Sequence, residues 1–592
     1  MPRKKKVKRI GTIDCETDPF EPGMVIAPFL WGVMLAVANA EGVSYFEFQT
    51  IEALVQWLSA PEQGGLVLYA HNGGKFDYHF LRDHIQSDEP ISVIAGRLAR
   101  CKIGGCELRD SLNLFGQTRL ADFSKKEIDY KKMRASERAK PEVWAEIREY
   151  LKYDCESLLK LVSSFIDKFG MQFTQAGAAM KYWKKHHAPN HEIPNSTVGF
   201  YDRFHPFYFG GRVQCFASGH ARESFSVVDI NSAYPFAMLS EHAYSTGAPL
   251  TTSRLPKNES SIPQCFIKLD AVAKGCFPLR AEDGSLYFPD DSRMVRTYHV
   301  TGWELIAALD THTVDVKRIR AVHRFEQQVS FKDYVEHFFA LRREAKAAGD
   351  KAQDISAKVF LTSLYGKFSA NPRKYREFVL SAEGSDEYAR WIQSDFENQG
   401  MWGGRSMLFR PVPEHKHRYY NVVTGASITG YVRAYLWRAL NKVSGPIYCD
   451  TDAIAAKDVS RIDTGDKLGQ WKIEAECDEY AIGGKKNYAF HVAGSPRNSF
   501  VRRQKPLENP RSADEWTKAR KSWKIASKGA DLSPKQMIRV ATGGVVSYEN
   551  PVPNFSMHLP MPGTYLPGKL DRSFQNRQVK STYKDISQYE AA

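Results

Sequence analysis

The chain has 592 residues, of which 43% are hydrophobic and 25% charged, with a net charge of +14. That composition excludes a disordered chain and a chain too small to bury cores, and the length suits several domains. No apolar run reaches membrane-spanning length, and the basic balance fits a polyanionic partner, plain solubility charge being the alternative. The nine cysteines form no C-x-x-C pair and have no zinc-type spacing, so reduced thiols without structural zinc are expected. The first residues, Arg3-Lys-Lys-Lys-Val-Lys-Arg9, read as a phosphate-contacting or solvated tail, or as a nuclear-import signal.

Ile10-Gly-Thr-Ile-Asp-Cys-Glu-Thr17 reads as a buried strand ending in acids, with Asp14 and Glu16 on one face. Leu66-Val-Leu-Tyr-Ala-His-Asn-Gly-Gly-Lys-Phe-Asp77 is a strand opening into a Gly-Gly loop. Its glycines are expected to let backbone approach a ligand, and Asp77 to begin a helix. A long helix should open at Pro141 and fade before Gly170, with Trp144, Ile147, Leu151, Leu158, Val162 and Phe165 as its seam. Asp154 falls in that seam, with Tyr150 one turn earlier. A carboxylate on a buried face needs a partner, which a metal or a capped backbone supplies. Asp14, Glu16, Asp77 and Asp154 together suit two-metal hydrolysis of a phosphodiester, with Tyr150 orienting the attacking water.

Two further acidic signatures lie downstream, Phe225-Ser-Val-Val-Asp-Ile-Asn-Ser-Ala-Tyr-Pro235 and Pro446-Ile-Tyr-Cys-Asp-Thr-Asp-Ala-Ile454, roughly 220 residues apart. Asp450 and Asp452 are two apart, so on a strand both carboxylates leave from one face; a hairpin turn with solvated acids is the plainer alternative. Clustered carboxylates repel unless a cation neutralises them, and hard oxygen ligands suit Mg²⁺. Between them, Lys358-Val-Phe-Leu-Thr-Ser-Leu-Tyr-Gly366 reads as a helix with Lys358, Thr362 and Tyr365 on one face. An ordinary amphipathic helix would carry the same residues, but this face can also take phosphates at Lys358 and a base pair at Tyr365.

These motifs resemble those of family B DNA polymerases with DEDD-type proofreading exonucleases. Asp14-x-Glu16, Asn72…Phe76-Asp77 and Tyr150-x₃-Asp154 look like the three exonuclease motifs. Asp229-Ile-Asn-Ser-Ala-Tyr-Pro235 and Tyr448-Cys-Asp-Thr-Asp452 look like the two palm motifs, with Ala233 and Ala453 where relatives often carry Leu and Ser. Thr362 stands where relatives usually have Asn. The resemblance implies that Thr17, His71, Asn72, Phe76, Phe80, Ser111 and Leu112 hold a single-stranded 3′ end and that Lys125 assists the exonuclease transition state. It implies metal at Asp229, Asp450 and Asp452, triphosphate at the Ile230 backbone, and a 2′-OH excluded by Tyr234. Tyr208, Gly210 and Gly211 would pass the DNA end between sites, although a simple Gly-Gly turn also fits. Thr429 and Arg433 would contact template, and Lys486 and Tyr488 the primer terminus.

Motif order and length are similar to the protein-primed branch that serves linear phage genomes. His71-Asn-Gly-Gly-Lys-Phe-Asp77, Phe207-Tyr-Phe-Gly-Gly-Arg212 and Lys524-Ile-Ala-Ser-Lys-Gly529 look most like the tectivirus type. The implied fold is multidomain α+β: an α/β ribonuclease-H-like 3′→5′ exonuclease over residues 1–172 and a right-hand polymerase. The palm is expected at 173–240 and 421–530, the fingers at 334–372 and the thumb at 531–592. Long intervals at 241–333 and 373–420 would dock the terminal protein and support strand displacement with processivity; the second also reads as a surface excursion. Implied cofactors are two Mg²⁺ per site, with Mn²⁺ as an alternative. Implied partners are template, primer, dNTPs, a terminal protein primer and a single-stranded DNA-binding protein, with no membrane, in the cytoplasm of a bacterial host and encoded by a phage or mobile element. A nucleic-acid-primed repair polymerase, a stand-alone exonuclease and a non-catalytic DNA-binding scaffold are the competing readings; the two complete acid sets argue against them.

Overall fold

The computed structural model describes residues 9–19, 26–36, 42–94, 96–116, 120, 126–188, 196–244, 247–402, 404–417, 420–497, 522–528, 530, 532–549, 576–585 and 588–589. The expected role of Lys125, most of the basic N-terminal tail and Gly529 lie outside them.

The N-terminal part is built on a seven-stranded sheet whose centre holds Ile10–Thr17, antiparallel to Pro28–Ala36 and parallel to Val67–Ala70. Ile13, Trp31, Val33 and Leu68 are fully buried in it. The Pro141–Phe169 helix starts on Pro at its first turn and ends at Gly170, whose φ of 70° suits a residue without Cβ. It packs close to the sheet at Gly32, where a Cβ would already meet Leu151 and Cys155 at 3.0 and 3.2 Å. Thr12 Oγ1 donates to the Cys155 carbonyl at 2.8 Å and fixes the helix lengthwise. These contacts set Asp154 opposite the acid-bearing strand.

The second sheet has eight strands, with Phe225–Ile230 between Ala453–Asp458 and Trp471–Gly484, all antiparallel. The Val422–Leu440 helix lies behind it and is buried on nearly every side. Lys332–Ala347 and Lys351–Phe368 form a helical hairpin turning at Gly349, whose φ is 70°. Val228, Ile230, Phe360, Leu364, Ile428 and Leu158 share one buried cluster, so both sheets and the hairpin rest on common packing.

The first long interval folds as a four-stranded sheet, ordered Leu250–Thr252, Val314–Arg324, Cys265–Ala273, Arg296–Thr301. The helix Gly302–Asp310 follows, opened by a capping box between Thr301 and Glu304. The second interval folds as a three-stranded sheet of Arg376–Ser381, Arg405–Pro411 and Glu397–Trp402 plus the helix Asp386–Gln393. The plain-excursion alternative fails here. Phe378, Leu380, Trp402 and Met407 belong to the same buried cluster as Leu68 and Tyr78 of the N-terminal sheet. Ile91 N donates to Phe378 O at 2.8 Å and Trp391 Nε1 to Ser87 O at 2.9 Å. Excising residues 373–418 would therefore uncover core. All nine thiols are free, and no helix of the described residues is long and apolar enough to cross a membrane.

Candidate active sites

The N-terminal carboxylates converge. Burial raises the Asp14 carboxyl well above the ordinary range, and Asp77, Glu16 and Asp154 raise it further. Glu16 is pushed up by burial and then by Asp154 and Asp77. Burial pushes Asp77 and Asp154 up to about 6 each. Mutual repulsion in a dry site favours binding of a cation. Oδ1 of Asp77 is buried without a hydrogen-bond partner among the described residues. Among the described residues, no three His, Cys, Asp or Glu side chains already close on one point as metal ligands. The donor set nevertheless fits a hard divalent cation: oxygen only and anionic.

Tyr150 sits half-buried and bonds to Asp154 and to the hydroxyl of Tyr130. Tyr130, 62% exposed, is a functional candidate that the motifs missed. Its signal was an aromatic residue inside the basic run just after Lys125. Asp110 was also missed. It ends the strand Cys106–Asp110, is buried, accepts from Leu112 N at 2.9 Å and Gly74 N at 3.3 Å, and pairs with Arg97 at 3.3 Å.

The Asn72-Gly-Gly loop corrects one expectation. A Cβ on Gly74 would collide with the Leu98 carbonyl, and one on Gly73 with Ala70 at 2.5 Å, so the glycines serve close packing rather than approach to a ligand. Asn72 itself has φ 65°. The residues expected to hold a DNA end split into two layers. His71, Asn72, Phe76 and Leu112 are half-exposed, whereas Thr17, Phe80 and Ser111 are buried. Two of the buried ones support from behind: Ser111 Oγ meets His71 Nδ1 at 3.1 Å, and Phe80 packs edge-on to Phe76 with centroids 5.3 Å apart.

The palm acids also meet, by a different geometry from the one expected. Asp450 ends the strand Ser444–Asp450, Thr451 turns with φ 62°, and Ala453 begins the next strand. The pair therefore sits on a hairpin turn, not along one strand face. The turn closes with Asp452 N on Asp450 O at 2.6 Å, and Ile230 N donates to Asp452 O at 2.8 Å. That bond and the Asp229–Ala453 register bring the two acid signatures side by side. Burial and then Asp452 push Asp229 up to about 7; burial and then Asp450 raise Asp452. Asp450 differs: Lys486 Nζ pairs with its Oδ1 at 2.5 Å. Its charge is already paired, whereas the raised carboxyls of Asp229 and Asp452 suit a divalent cation.

Ser232, at φ 58°, turns the chain into the short helix Ala233–Ala237 that carries Tyr234. Tyr234 stacks on Tyr365 of the helical hairpin, with centroids 4.0 Å apart and planes 4° off parallel. Lys358 and Thr362 are exposed on the same helix, but the Thr362 hydroxyl donates back to Lys358 O at 3.0 Å. Tyr488 stacks on Phe490 at 4.5 Å beside Tyr448. Thr429 and Arg433, expected to touch template, are 2% and 3% exposed. Arg433 instead pairs with Glu304 at 2.8 Å and donates to Phe209 O and Gly210 O at 2.5 and 2.9 Å, bracing the Tyr208–Gly211 loop from beneath.

A relative from Enterobacteria phage PRD1, described as a DNA-directed DNA polymerase, is 34% identical over 576 residues, 94% of this chain and 98% of its own. This chain belongs to the protein-primed phage branch of the type B DNA polymerases. A family model described as DNA polymerase type B, organellar and viral, matches residues 113–401. A probable DNA polymerase of Ascobolus immersus is 25% identical over 375 residues, covering 58% of this chain and 29% of the fungal one. Solved structures of Phi29 DNA polymerase share the fold. The orthorhombic crystal form gives a TM-score of 0.68 at 18% identity over 97% of this chain and all of that one. The complex with primer-template DNA and incoming nucleotides gives 0.67 at 17% identity over 98% and 100%. The multidomain exonuclease-plus-right-hand architecture expected of this polymerase branch is thus the one observed.

Proposed function

We propose that this polymerase copies a linear double-stranded DNA starting from a hydroxyl of a terminal protein, and proofreads with its N-terminal domain, in the cytoplasm of a bacterial host. The observation that carries the reading is the convergence of two separate sets of acids with raised carboxyls, one at each sheet. Asp14, Glu16, Asp77 and Asp154 would hold Mg²⁺ for hydrolysis, and Asp229 and Asp452 for nucleotide addition, two ions per site with Mn²⁺ as an alternative. Bound there, such ions supply charge neutralisation for the attacking and leaving oxygens of a phosphoryl transfer.

The chain's own groups do the positioning. Tyr150, tied to Asp154, orients the attacking water in the hydrolytic site, and Tyr130 extends that relay to the surface. His71, Asn72, Phe76 and Leu112 receive the single-stranded end, stacking being the sequence-tolerant means. At the palm, Lys358 takes the triphosphate with the backbone near Ile230, whose own amide is bonded to Asp452 O. Tyr234 underlies the sugar and Tyr365 the base, and their stack fixes the distance between those two surfaces. Tyr208, Gly210 and Gly211 guide the strand between sites. Lys486 and Tyr488 steady the primer terminus, and Arg433 acts on DNA through the loop it supports, while Thr429 is buried with its hydroxyl bonded to Ala426 O. The intervals at 241–333 and 373–420 are assigned to terminal-protein docking and to strand displacement with processivity.

The test is replication of a protein-capped linear duplex with labelled dNTP, with and without the cognate terminal protein and its single-stranded DNA-binding protein. Label is expected on the terminal protein. Efficient extension of ordinary DNA primers with no label on that protein would make this a nucleic-acid-primed enzyme.

A further inference from the structure

The loop Tyr208-Phe-Gly-Gly-Arg212 leads directly into the palm site. Arg212 O accepts from Thr451 N at 2.6 Å, and Val213 pairs in register with Asp450. Gly211 lies so close to the turn that a Cβ there would meet Thr451 Cγ2 at 2.6 Å. Burial raises the hydroxyl pKa of Tyr234 and Tyr365, and Tyr208 at the loop's other end adds to both, so it lies within electrostatic reach of the nucleotide-facing stack. Whatever holds this loop therefore holds the catalytic turn.

The holders come from the first insertion. Arg280 donates from Nη2 to the Tyr208 carbonyl and lies over the Phe209 ring, its guanidinium carbon 4.4 Å from the centroid. Glu304 takes Arg433 Nε on Oε1 at 2.8 Å, and on Oε2 accepts Thr301 N and Oγ1 at 3.0 and 2.8 Å. Arg433 passes this hold to the Phe209 and Gly210 carbonyls. Gly275 O accepts from Arg212 Nη1 at 2.8 Å, with the guanidinium between Phe288 and Trp437. Three points of the insertion thus grip one short loop, from its start, its middle and its end. A module that only docked a partner would need none of them.

We infer that the first insertion is a positioning element of the polymerase site, with Arg280 and Glu304 as positioning residues that act through the Tyr208–Arg212 loop on the Asp450–Asp452 turn. The inference rests on the polymerase reading of the palm acids. Arg280 matters at the loop's start, where its bond and its stacking both need a planar guanidinium. Glu304 matters through charge: a neutral isostere keeps its two bonds to Thr301 but loses the ionic hold on a buried Arg433.

The experiment uses the full chain with a matched primer-template, following extension and degradation of the same labelled primer across dNTP concentration. Arg280 is exposed, so Arg280→Ala leaves the cores intact. It is expected to lower kcat of extension about tenfold, with degradation of single-stranded DNA unchanged, so that the dNTP concentration balancing extension against degradation rises. Glu304→Gln should move the balance the same way, and Arg280→Lys should recover only part, since it restores a donor without the plane. Wild-type balance in Arg280→Ala overturns the inference. Loss of both activities together with a lowered Tm also overturns it, because that is the mark of a merely structural residue. Failure of the underlying reading is distinguishable: the wild-type chain would then extend no primer at all.

Discussion

Two adjacent glycines give the sharpest test of how the loop meets the catalytic turn. A Cβ on Gly211 would lie 2.6 Å from Thr451 Cγ2, 2.7 Å from its Oγ1 and 2.9 Å from its Cβ, whereas one on Gly210 meets nothing within 4 Å. Neither residue has a φ in the left-handed range, so strain of the backbone itself does not separate them. Gly211→Ala must push the two segments apart by about 0.8 Å to restore ordinary contact, and overpacking of that kind costs about 1–3 kcal/mol. Thr451 cannot yield freely: its amide is held by Arg212 O and its hydroxyl donates to Asp450 at 3.2 Å. If the whole cost appears as misplacement of the acids in the transition state, kcat falls about 5- to 150-fold. Gly210→Ala should stay within about threefold of wild type on the same scale. Single-turnover extension of a matched primer at saturating dNTP measures both, and Thr451→Gly in the Gly211→Ala background should recover part of the rate, because it removes all three clashing atoms at a φ of 62° that glycine adopts freely. Equal losses in the two single variants, or no recovery in the double variant, would refute the packing argument.

The other expectations are as follows. Asp14→Ala with Asp77→Ala should abolish 3′→5′ degradation and leave nucleotide addition, because the acid sets stand on different sheets; gel assays of both reactions on one preparation check this. Tyr234→Val should lower dNTP-over-rNTP selectivity about tenfold or more, read from steady-state insertion, and raise KM for dNTP because Tyr365 loses its stacking partner. In metal-free protein the raised carboxylates give a signed pH effect. A folded-state pKa above the unfolded value means the fold holds the proton more tightly, so stability falls as pH rises from the ordinary carboxylate value toward about 6, the value for Asp77 and Asp154. Tm of the wild type should therefore drop relative to Asp154→Asn across that window, and Mg²⁺ at neutral pH should restore it. Parallel Tm profiles for the two proteins would remove the raised carboxylate as the cause.

What the sequence made legible was local. The acid-ended strand Ile10–Thr17, the helix from Pro141 to Gly170 and the helix carrying Lys358 and Tyr365 are each written in consecutive residues. Their apolar periodicity, proline start and glycine stop need no distant partner. The Asp450/Asp452 strand reading failed for an equally local reason. The turn between them is made by Thr451 at positive φ, a conformation that carries no glycine or asparagine signal. The second insertion was legible as a folded unit but not as part of another domain's core, since Trp402 finds that core only through the tertiary fold.

The DNA-facing residues show the deeper limit. A motif says which positions serve a task, and it is silent about the layer each occupies. The Val422–Leu440 helix is buried on nearly all sides, so no hydrophobic stripe marks Thr429 and Arg433 as inside rather than out. Arg433 is tolerable there because Glu304, 129 positions away, neutralises it through Nε and two carbonyls take Nη1. Ser111 under His71 and Phe80 under Phe76 repeat the arrangement in the hydrolytic domain. In each case a buried residue holds an exposed one, and only the exposed one has a surface to offer a strand. Substitutions in the two layers should then differ in kind. Loss of an exposed contact such as Phe76 or Tyr208 weakens DNA binding in proportion to what it touched. Loss of a buried support such as Arg433 takes from Glu304 its ion-pair partner, and so perturbs the loop, the catalytic turn and the insertion at once.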